Sequence, residues 1–211
     1  LAALRDGARA ALAGFAATVG RLGVDACEQR LTDDSLIGSL TLQSRYCDLA
    51  VVPQAAPGGS FVPQQLILHS PRPVVVVPGH GEFTHVAERP LLAWDGGMAA
   101  SRAIEAALPL LRRARLVTLA VFNPDSVYAA HGPEPGADLA RFLARHNVQL
   151  EVVVRDTDGD VGDGLLALAG ETGADLLVMG CYGHTRVREL LVGGTSRTVL
   201  KQMTLPVLMM A

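Results

Sequence analysis

The sequence is poor in aromatic residues and in net charge, and both shortages exclude classes of protein. Aromatic residues make up 4% of the 211 residues and the net charge is −3, whereas a nucleic-acid-binding domain is expected to show a basic face. No apolar run is long enough to span a bilayer, and no signal peptide opens the sequence. We therefore expect no nucleic-acid partner, no membrane insertion and a cytoplasmic location.

Cysteine is also scarce. The three cysteines, Cys27, Cys47 and Cys181, are widely separated and lack the Cys-x-x-Cys spacing of zinc and redox sites. This spacing argues against a disulfide framework and against a zinc site. We expect Cys27 and Cys47 to be small core residues, and Cys181 to be partly exposed because it lies in a glycine-containing loop.

Several catalytic motifs are missing. The sequence contains neither the Gly-x-Ser-x-Gly turn of serine hydrolases nor the Gly-x-x-x-x-Gly-Lys-Ser/Thr loop of many nucleotide hydrolases. An acidic run at 156–163 invites a calcium interpretation, but Val161 and Ala167 stand where an EF-hand loop needs glycine and glutamate. We expect this run to be a polar loop that caps the helix near Leu165.

The sequence does contain a regular alternation of strands and helices. Predominantly apolar runs at 91–94, 116–122, 148–154, 174–179 and 206–210 predict five strands, and helical patterns at 99–113, 137–146 and 165–171 lie between them. Apolar strands that alternate with helices are typical of a parallel sheet covered on both faces. The fold class is therefore α/β.

This pattern occurs twice. The runs at 24–28, 47–52 and 73–78 match the later strands at 148–154, 174–179 and 206–210, with helical stretches between them. We predict a partial first copy at 1–78, a linker at 79–89 and a complete domain at 90–211. Because the first strand, first helix and second strand have no counterpart in the first copy, we expect the natural chain to be longer at its N-terminus.

A glycine-rich segment follows the strand at 174–179. Gly180 and Gly183 come first, and Gly193, Gly194, Thr195 and Ser196 come ten residues later, at the start of the last helix. Glycines before a helix N-terminus leave backbone N–H groups open to an anion, which favours a phosphate site. The alternative is that the glycines only form two turns.

Two further residues have two interpretations each. Asp95 ends the first strand of the complete domain, where its carboxylate could hold a ribose hydroxyl or could simply cap the next helix. His184 follows the second loop glycine, where it could contact a phosphate or remain in solvent.

Taken together, these motifs resemble the universal stress protein family. The resemblance rests on Gly-x-x-Gly, nine further residues and Gly-Gly-Thr-Ser between an Ala-Asp-Leu-Leu-Val-Met-Gly strand and a Leu-Pro-Val strand, and on the turn at 93–97. It implies a Rossmann-like, open, parallel five-stranded sheet in the order 3-2-1-4-5 with helices on both faces, here in two tandem copies. It also implies a homodimer or pairing of the two copies within the chain.

The same resemblance implies a site for ATP, ADP or AMP, with Mg²⁺ as a possible companion of the nucleotide. Asp95 would lie near the ribose, Val121 and Met179 would flank the adenine, and the phosphates would lie among the loop residues Gly180, Gly183, His184, Gly193, Gly194, Thr195 and Ser196. The first copy lacks the Gly-x-x-Gly half of the loop, so we expect one site per chain.

Gly194 departs from the family pattern, because nucleotide-binding members usually carry a hydroxyl residue there. We predict a stress-response binding or signalling module rather than a dedicated enzyme, with slow ATP hydrolysis at most. The alternative is a nucleotide-free structural or dimerisation protein with a vestigial glycine loop.

Overall fold

The computed structural model describes residues 2–24, 26–56, 59, 61–127, 133–181 and 194–211. These residues divide into two compact units, Leu1–Ser39 and Leu40–Ala211. The first unit contains the helix α1 (Ala2–Arg21), most of whose side chains are exposed. Within this unit the guanidinium of Arg5 pairs with the carboxylate of Asp33. A second helix, α2 (Leu36–Gln43), spans the boundary between the units.

The second unit is built on one sheet of seven strands. These are β1 (Ala50–Pro53), β2 (Val74–Val77), β3 (Pro90–Ala93), β4 (Val117–Phe122), β5 (Leu150–Arg155), β6 (Leu176–Gly180) and β7 (Val207–Met210). They lie in the order β1-β2-β7-β6-β3-β4-β5, and every neighbouring pair is parallel except β2 and β7. Runs of valine, as in β1, β2 and β5, suit these strands because β-branched side chains pack well on a pleated surface.

Helices connect the strands and cover both faces of the sheet. They are α3 (Val62–His69), α4 (Met98–Leu111), α5 (Ala137–Arg145), α6 (Val161–Thr172) and α7 (Gly194–Gln202). Buried residues of α3, α6 and α7 pack on one face of the sheet, whereas those of α4 and α5 pack on the other. The predicted α/β class, with a mostly parallel sheet between helices, is therefore confirmed.

Within residues 90–211 the five strands lie in the order β5-β4-β3-β6-β7. Numbered along that domain, this is the order 3-2-1-4-5 that the family resemblance implies. The helix bounds also follow the sequence pattern closely, because α4 and α5 begin and end within two residues of their predicted limits.

The sheet continues beyond the complete domain. β2 pairs with β7 in antiparallel register, with Val74 opposite Met209 and Val76 opposite Val207. The segments β1–α3–β2 and β6–α7–β7 thus meet through their last strands, and each is a parallel strand–helix–strand unit. This arrangement supports the sequence duplication, whose boundaries stay a prediction.

The strand predicted at 24–28 is wrong. Residue 24 and residues 26–28 form neither strand nor helix, and the described part of Leu1–Ser39 contains no strand at all. A strand needs a neighbour for its backbone hydrogen bonds. Because none of the described residues of this unit offers one, the apolar pattern at 24–28 does not become a strand.

Candidate functional site

The candidate site lies at the carboxyl ends of β3 and β6. β3 pairs with β4 on one side and with β6 on the other. The chain leaves β3 through α4 towards β4, and it later returns from β5 through α6 to β6 on the opposite side of β3. In open parallel sheets such a reversal opens a crevice at the carboxyl ends of the strands, where ligands bind.

Asp95 lies two residues after the end of β3 and is exposed. Its Oδ1 accepts a hydrogen bond of 2.8 Å from the N–H of Gly97, which is the N-cap residue of α4. The carboxylate thus closes a turn before α4, whereas the N-cap position of that helix has no side-chain cap. A contact with ribose stays a prediction.

Gly180 ends β6 where the strand meets the first turn of α4. A β-carbon on Gly180 would lie 2.3 Å from the backbone nitrogen of Ala100 and 2.6 Å from the carbonyl carbon of Ala99. Only glycine allows this approach. The N-terminus of α4 is therefore held directly against the carboxyl end of β6.

The first turn of α7 lies beside a carboxylate. A β-carbon on Gly194 would lie 3.3 Å from Oδ2 of Asp160, whose Oδ1 accepts a 2.6 Å hydrogen bond from the N–H of Gly162. Asp160 is the N-cap residue of α6, so the predicted capping role of the acidic run is confirmed. The sequence did not predict that Asp160 lies beside the start of α7.

Cys181 and Ser196 join β6 to α7. The Cys181 side chain is 2% exposed, so the expectation of partial exposure is wrong. Burial raises the pKa of the Cys181 thiol to about 12, and a hydrogen bond with Ser196 acts in the opposite direction. Ser196 is itself buried. Cys27 also differs from expectation, since it is exposed rather than part of a core.

The two residues expected beside adenine are core residues. Val121 is 0% exposed and Met179 is 3% exposed. Met179 belongs to the core beneath α6 and α7, and a γ-carbon of Val121 would lie 3.3 Å from a β-carbon on Gly136. A contact of either residue with adenine stays a prediction.

Three predicted site residues, Gly183, His184 and Gly193, lie outside the described residues. Of the others, Asp95 follows β3, Gly180 ends β6, and Gly194, Thr195 and Ser196 form the first turn of α7. Thr195 is half-buried, and its carbonyl oxygen would lie 2.9 Å from a β-carbon on Gly162.

Sequence reasoning missed Asp160 as a neighbour of α7. The residue was visible as a capping aspartate, but its distance to Gly194 depends on how α6 packs on α7. Within the described residues, no cluster of three or more histidine, cysteine or acidic side chains could hold a metal ion, and no helix is long and apolar enough to cross a membrane.

Known proteins are similar to this chain in both sequence and fold. Residues 88–210 match the universal stress protein family. The chain is 28% identical over 156 residues to the universal stress protein Slr1230 of Synechocystis sp., and the match covers 69% of this chain. The match covers 49% of Slr1230, so the chain spans about half the length of this curated relative.

Two solved structures are similar to most of the chain. A universal stress protein from Archaeoglobus fulgidus is 18% identical with a TM-score of 0.77, over 98% of this chain and 76% of that one. A Pseudomonas aeruginosa structure described as a universal stress protein is 20% identical with a TM-score of 0.64, over 96% and 77%. These structures share the fold, and because the family match spans more than half of the sequence, the chain belongs to the universal stress protein family.

Proposed function

We propose that residues 90–211 bind ATP or a related adenine nucleotide and act as a stress-response binding or signalling module. The observation that carries this proposal is the meeting of two helix starts at the end of β6. Gly180 touches the first turn of α4, and Cys181 is hydrogen-bonded to Ser196 in the first turn of α7. Helix N-termini present free N–H groups and a partial positive charge, which together favour phosphate.

The proposed nucleotide site combines described and undescribed residues. Asp95 would lie near the ribose, and Thr195 would offer its hydroxyl to the phosphates from the first turn of α7. The remaining residues of the proposed site are Val121, Met179, Gly180, Gly183, His184, Gly193, Gly194 and Ser196.

Asp160 supports Mg²⁺ as a companion of the nucleotide. Its carboxylate already lies beside the start of α7, where it would repel a phosphate. A divalent cation between a carboxylate and phosphate oxygens removes this repulsion, and Mg²⁺ is commonly held by one carboxylate plus phosphates. We therefore expect ATP to bind more tightly in Mg²⁺ than in EDTA, and Asp160→Asn to reduce that difference.

The experiment is calorimetric titration of ATP into wild type, Gly183→Val and Gly170→Val. Gly170 lies in the exposed part of α6 with no atom within 4 Å of its added β-carbon, so Gly170→Val is the matched control. We expect Gly183→Val to weaken ATP binding by at least about tenfold, since a side chain blocks the backbone approach. Equal affinities in all three proteins would overturn the placement of the phosphate site.

A second candidate function is a nucleotide-free structural or dimerisation protein with a vestigial loop. It is favoured by the buried Ser196 hydroxyl, which already has the Cys181 thiol as a partner, and by the missing hydroxyl at Gly194. Gly194→Ser discriminates the two functions. If the missing hydroxyl limits affinity, the variant should bind ATP about tenfold more tightly than wild type. This change corresponds to the free energy of one hydrogen bond to a charged group. No heat of binding in either protein would favour the structural function.

Slow ATP hydrolysis is an extension of the first proposal in which Asp95 orients a water molecule. The second oxygen of Asp95 has no hydrogen bond among the described residues, so it is available for this role. Turnover that survives in Asp95→Ala would exclude it.

A further inference from the structure

An open groove of about 1000 Å³ is lined by residues that follow β1, by residues that follow β2 and by the C-terminal part of α7. Its lining consists of Gln54, Ala55, Ala56, Gly59, Phe61, Gln64, Gly79, His80, Arg197, Leu200, Lys201, Gln202, Met203 and Thr204. None of the residues proposed for the nucleotide is among them, and the volume suits a small ligand.

The arginine and the lysine among the described lining residues, Arg197 and Lys201, are both basic. Arg197 and Lys201 lie one helical turn apart on α7, both are exposed, and neither forms an ion pair with a carboxylate in the described residues. No aspartate or glutamate is among the lining residues that the structure describes. Like charges four residues apart on a helix repel each other. An anion between these two cations would relieve that repulsion.

The groove also offers an apolar surface. Phe61, just before α3, leaves 62% of its surface exposed. Leu200 and Met203 also line the groove, with 7% and 1% of their surfaces exposed. An exposed aromatic ring facing a concave space can stack on a flat ligand, since ring pairs add to the free energy of area burial.

Two glutamines complete the groove and differ in their hydrogen bonding. The side-chain nitrogen of Gln54 donates to the carbonyl oxygens of Leu200 and Lys201 at 2.8 and 3.3 Å, and its oxygen accepts from the N–H of Gly79 at 3.3 Å. These bonds tie the walls together. By contrast, Oε1 of Gln64 is buried and finds no hydrogen-bond partner among the described residues. A buried acceptor without a partner costs free energy.

We propose that this groove is a second binding site, which takes a small organic anion with a flat apolar body. The carboxylate, sulfonate or phosphate of the ligand lies between Arg197 and Lys201, and its ring system lies on Phe61. The site is distinct from the nucleotide site, so a universal stress protein with this groove could respond to an aromatic anion independently of ATP.

The first test compares a charged probe with a neutral one of similar shape. 8-Anilinonaphthalene-1-sulfonate carries a sulfonate, whereas N-phenyl-1-naphthylamine has the same rings without charge, and both fluoresce on burial. The proteins are wild type, Arg197→Gln/Lys201→Gln and the control Arg113→Gln, an exposed arginine outside the groove. We expect the double variant to have a Kd for the sulfonate that is about tenfold or more above the wild-type value. Its Kd for the neutral probe should stay within about twofold of the wild-type value. The control should change neither Kd.

Three results would overturn the proposal. They are an unchanged Kd for the sulfonate in the double variant, an equal loss of affinity for both probes in that variant, or the same loss of affinity for the sulfonate in Arg113→Gln. Because Arg197 and Lys201 are exposed, the double variant should keep the wild-type melting temperature, which is measured alongside. Gly183→Val should retain wild-type sulfonate binding even where it loses ATP, so the two sites can fail separately.

The second test uses the lysine content. Lys201 is the one lysine in the 211 residues, so an amine reagent such as trinitrobenzenesulfonate modifies one side chain. We expect saturating 8-anilinonaphthalene-1-sulfonate to slow the modification of Lys201 at least about fivefold, as followed by mass spectrometry of the peptide, since an occupied site excludes reagent. The neutral probe should protect less. Modification at an unchanged rate would overturn the assignment.

Discussion

Gly180 and Ala100 approach so closely that a β-carbon on Gly180 would lie 2.3 Å from the backbone nitrogen of Ala100. This contact joins the end of β6 to the first turn of α4 across the point where the strand order reverses. The glycine that the sequence marks as part of a phosphate loop therefore also has a packing role. The two roles are compatible, since both require a bare backbone at the same place.

Gly180→Ala should destabilise the protein by about 1–3 kcal/mol, because the extra methyl group must push α4 away from β6 or bend the strand. The measurement is chemical denaturation followed by circular dichroism. Gly170→Ala is the matched control, since its added β-carbon meets no atom within 4 Å. That change should be neutral or stabilise by up to about 1 kcal/mol, because alanine is the better helix former. Equal stabilities of the two variants would contradict the close approach.

The sequence predicts the complete domain well for a physical reason. Most of its strands are predominantly apolar, such as Leu176–Gly180, and helices such as α4 have polar and apolar faces, so hydrophobic periodicity locates both kinds of element. The wrong strand at 24–28 shows the limit of this reasoning. Alternation of side chains indicates that a segment could be a strand, but only a neighbouring strand makes it one.

The candidate site was predictable in position but only partly in its contacts. Gly180 ends a strand and Asp95 follows one, and local sequence therefore places both at the carboxyl edge of the sheet. The burial of Cys181 and the approach of Asp160 to Gly194 depend on how α6 and α7 pack, which a single sequence does not encode locally. The antiparallel pairing of β2 with β7 joins segments about 130 residues apart, and no local pattern specifies that register.

Gln54 links the segment after β1 to the C-terminal end of α7. Gln54→Leu keeps most of the side-chain volume but removes its hydrogen bonds to Leu200, Lys201 and Gly79. We expect a loss of about 1–2 kcal/mol in the free energy of unfolding, because carbonyl groups at the helix end lose their donor. Gln65→Leu, on α3, is the control, since its side chain has no hydrogen bond to another described residue. A loss of the same size in Gln65→Leu would show that the effect does not come from the bridge.

Asp160 caps α6 and lies beside the first turn of α7. Asp160→Ala should reduce the free energy of unfolding by about 1–2 kcal/mol, the usual cost of losing an N-cap. Asp158→Ala removes a carboxylate of the same loop that is exposed and has no hydrogen bond to another described residue, so it should cost less than about 0.5 kcal/mol. Urea denaturation of the three proteins provides the comparison. A small effect at Asp160 would mean that water replaces the cap without loss.

Cys181 should make stability depend on pH in the alkaline range. Burial raises the pKa of this thiol from 9.0 to about 12 in the folded protein. Below pH 9 the thiol is protonated in both the folded and the unfolded states, so its full contribution is present. Above pH 9 the unfolded state releases the proton while the folded state retains it, and stability falls by about 1.4 kcal/mol per pH unit until the folded thiol also ionises.

Urea midpoints at pH 8, 9, 10 and 11 measure this decline. Other groups titrate in the same range, so the difference between variants isolates the thiol. The stability of Cys181→Ala should fall less steeply with pH than that of wild type above pH 9. The stability of Cys27→Ala, which changes an exposed cysteine, should keep the wild-type slope. At pH 8 the native protein should also react with iodoacetamide at Cys27 and leave Cys181 unmodified, because only a thiolate attacks and Cys181 is buried and protonated. Parallel slopes in all three proteins, or rapid labelling of native Cys181, would mean that the thiol is accessible to water.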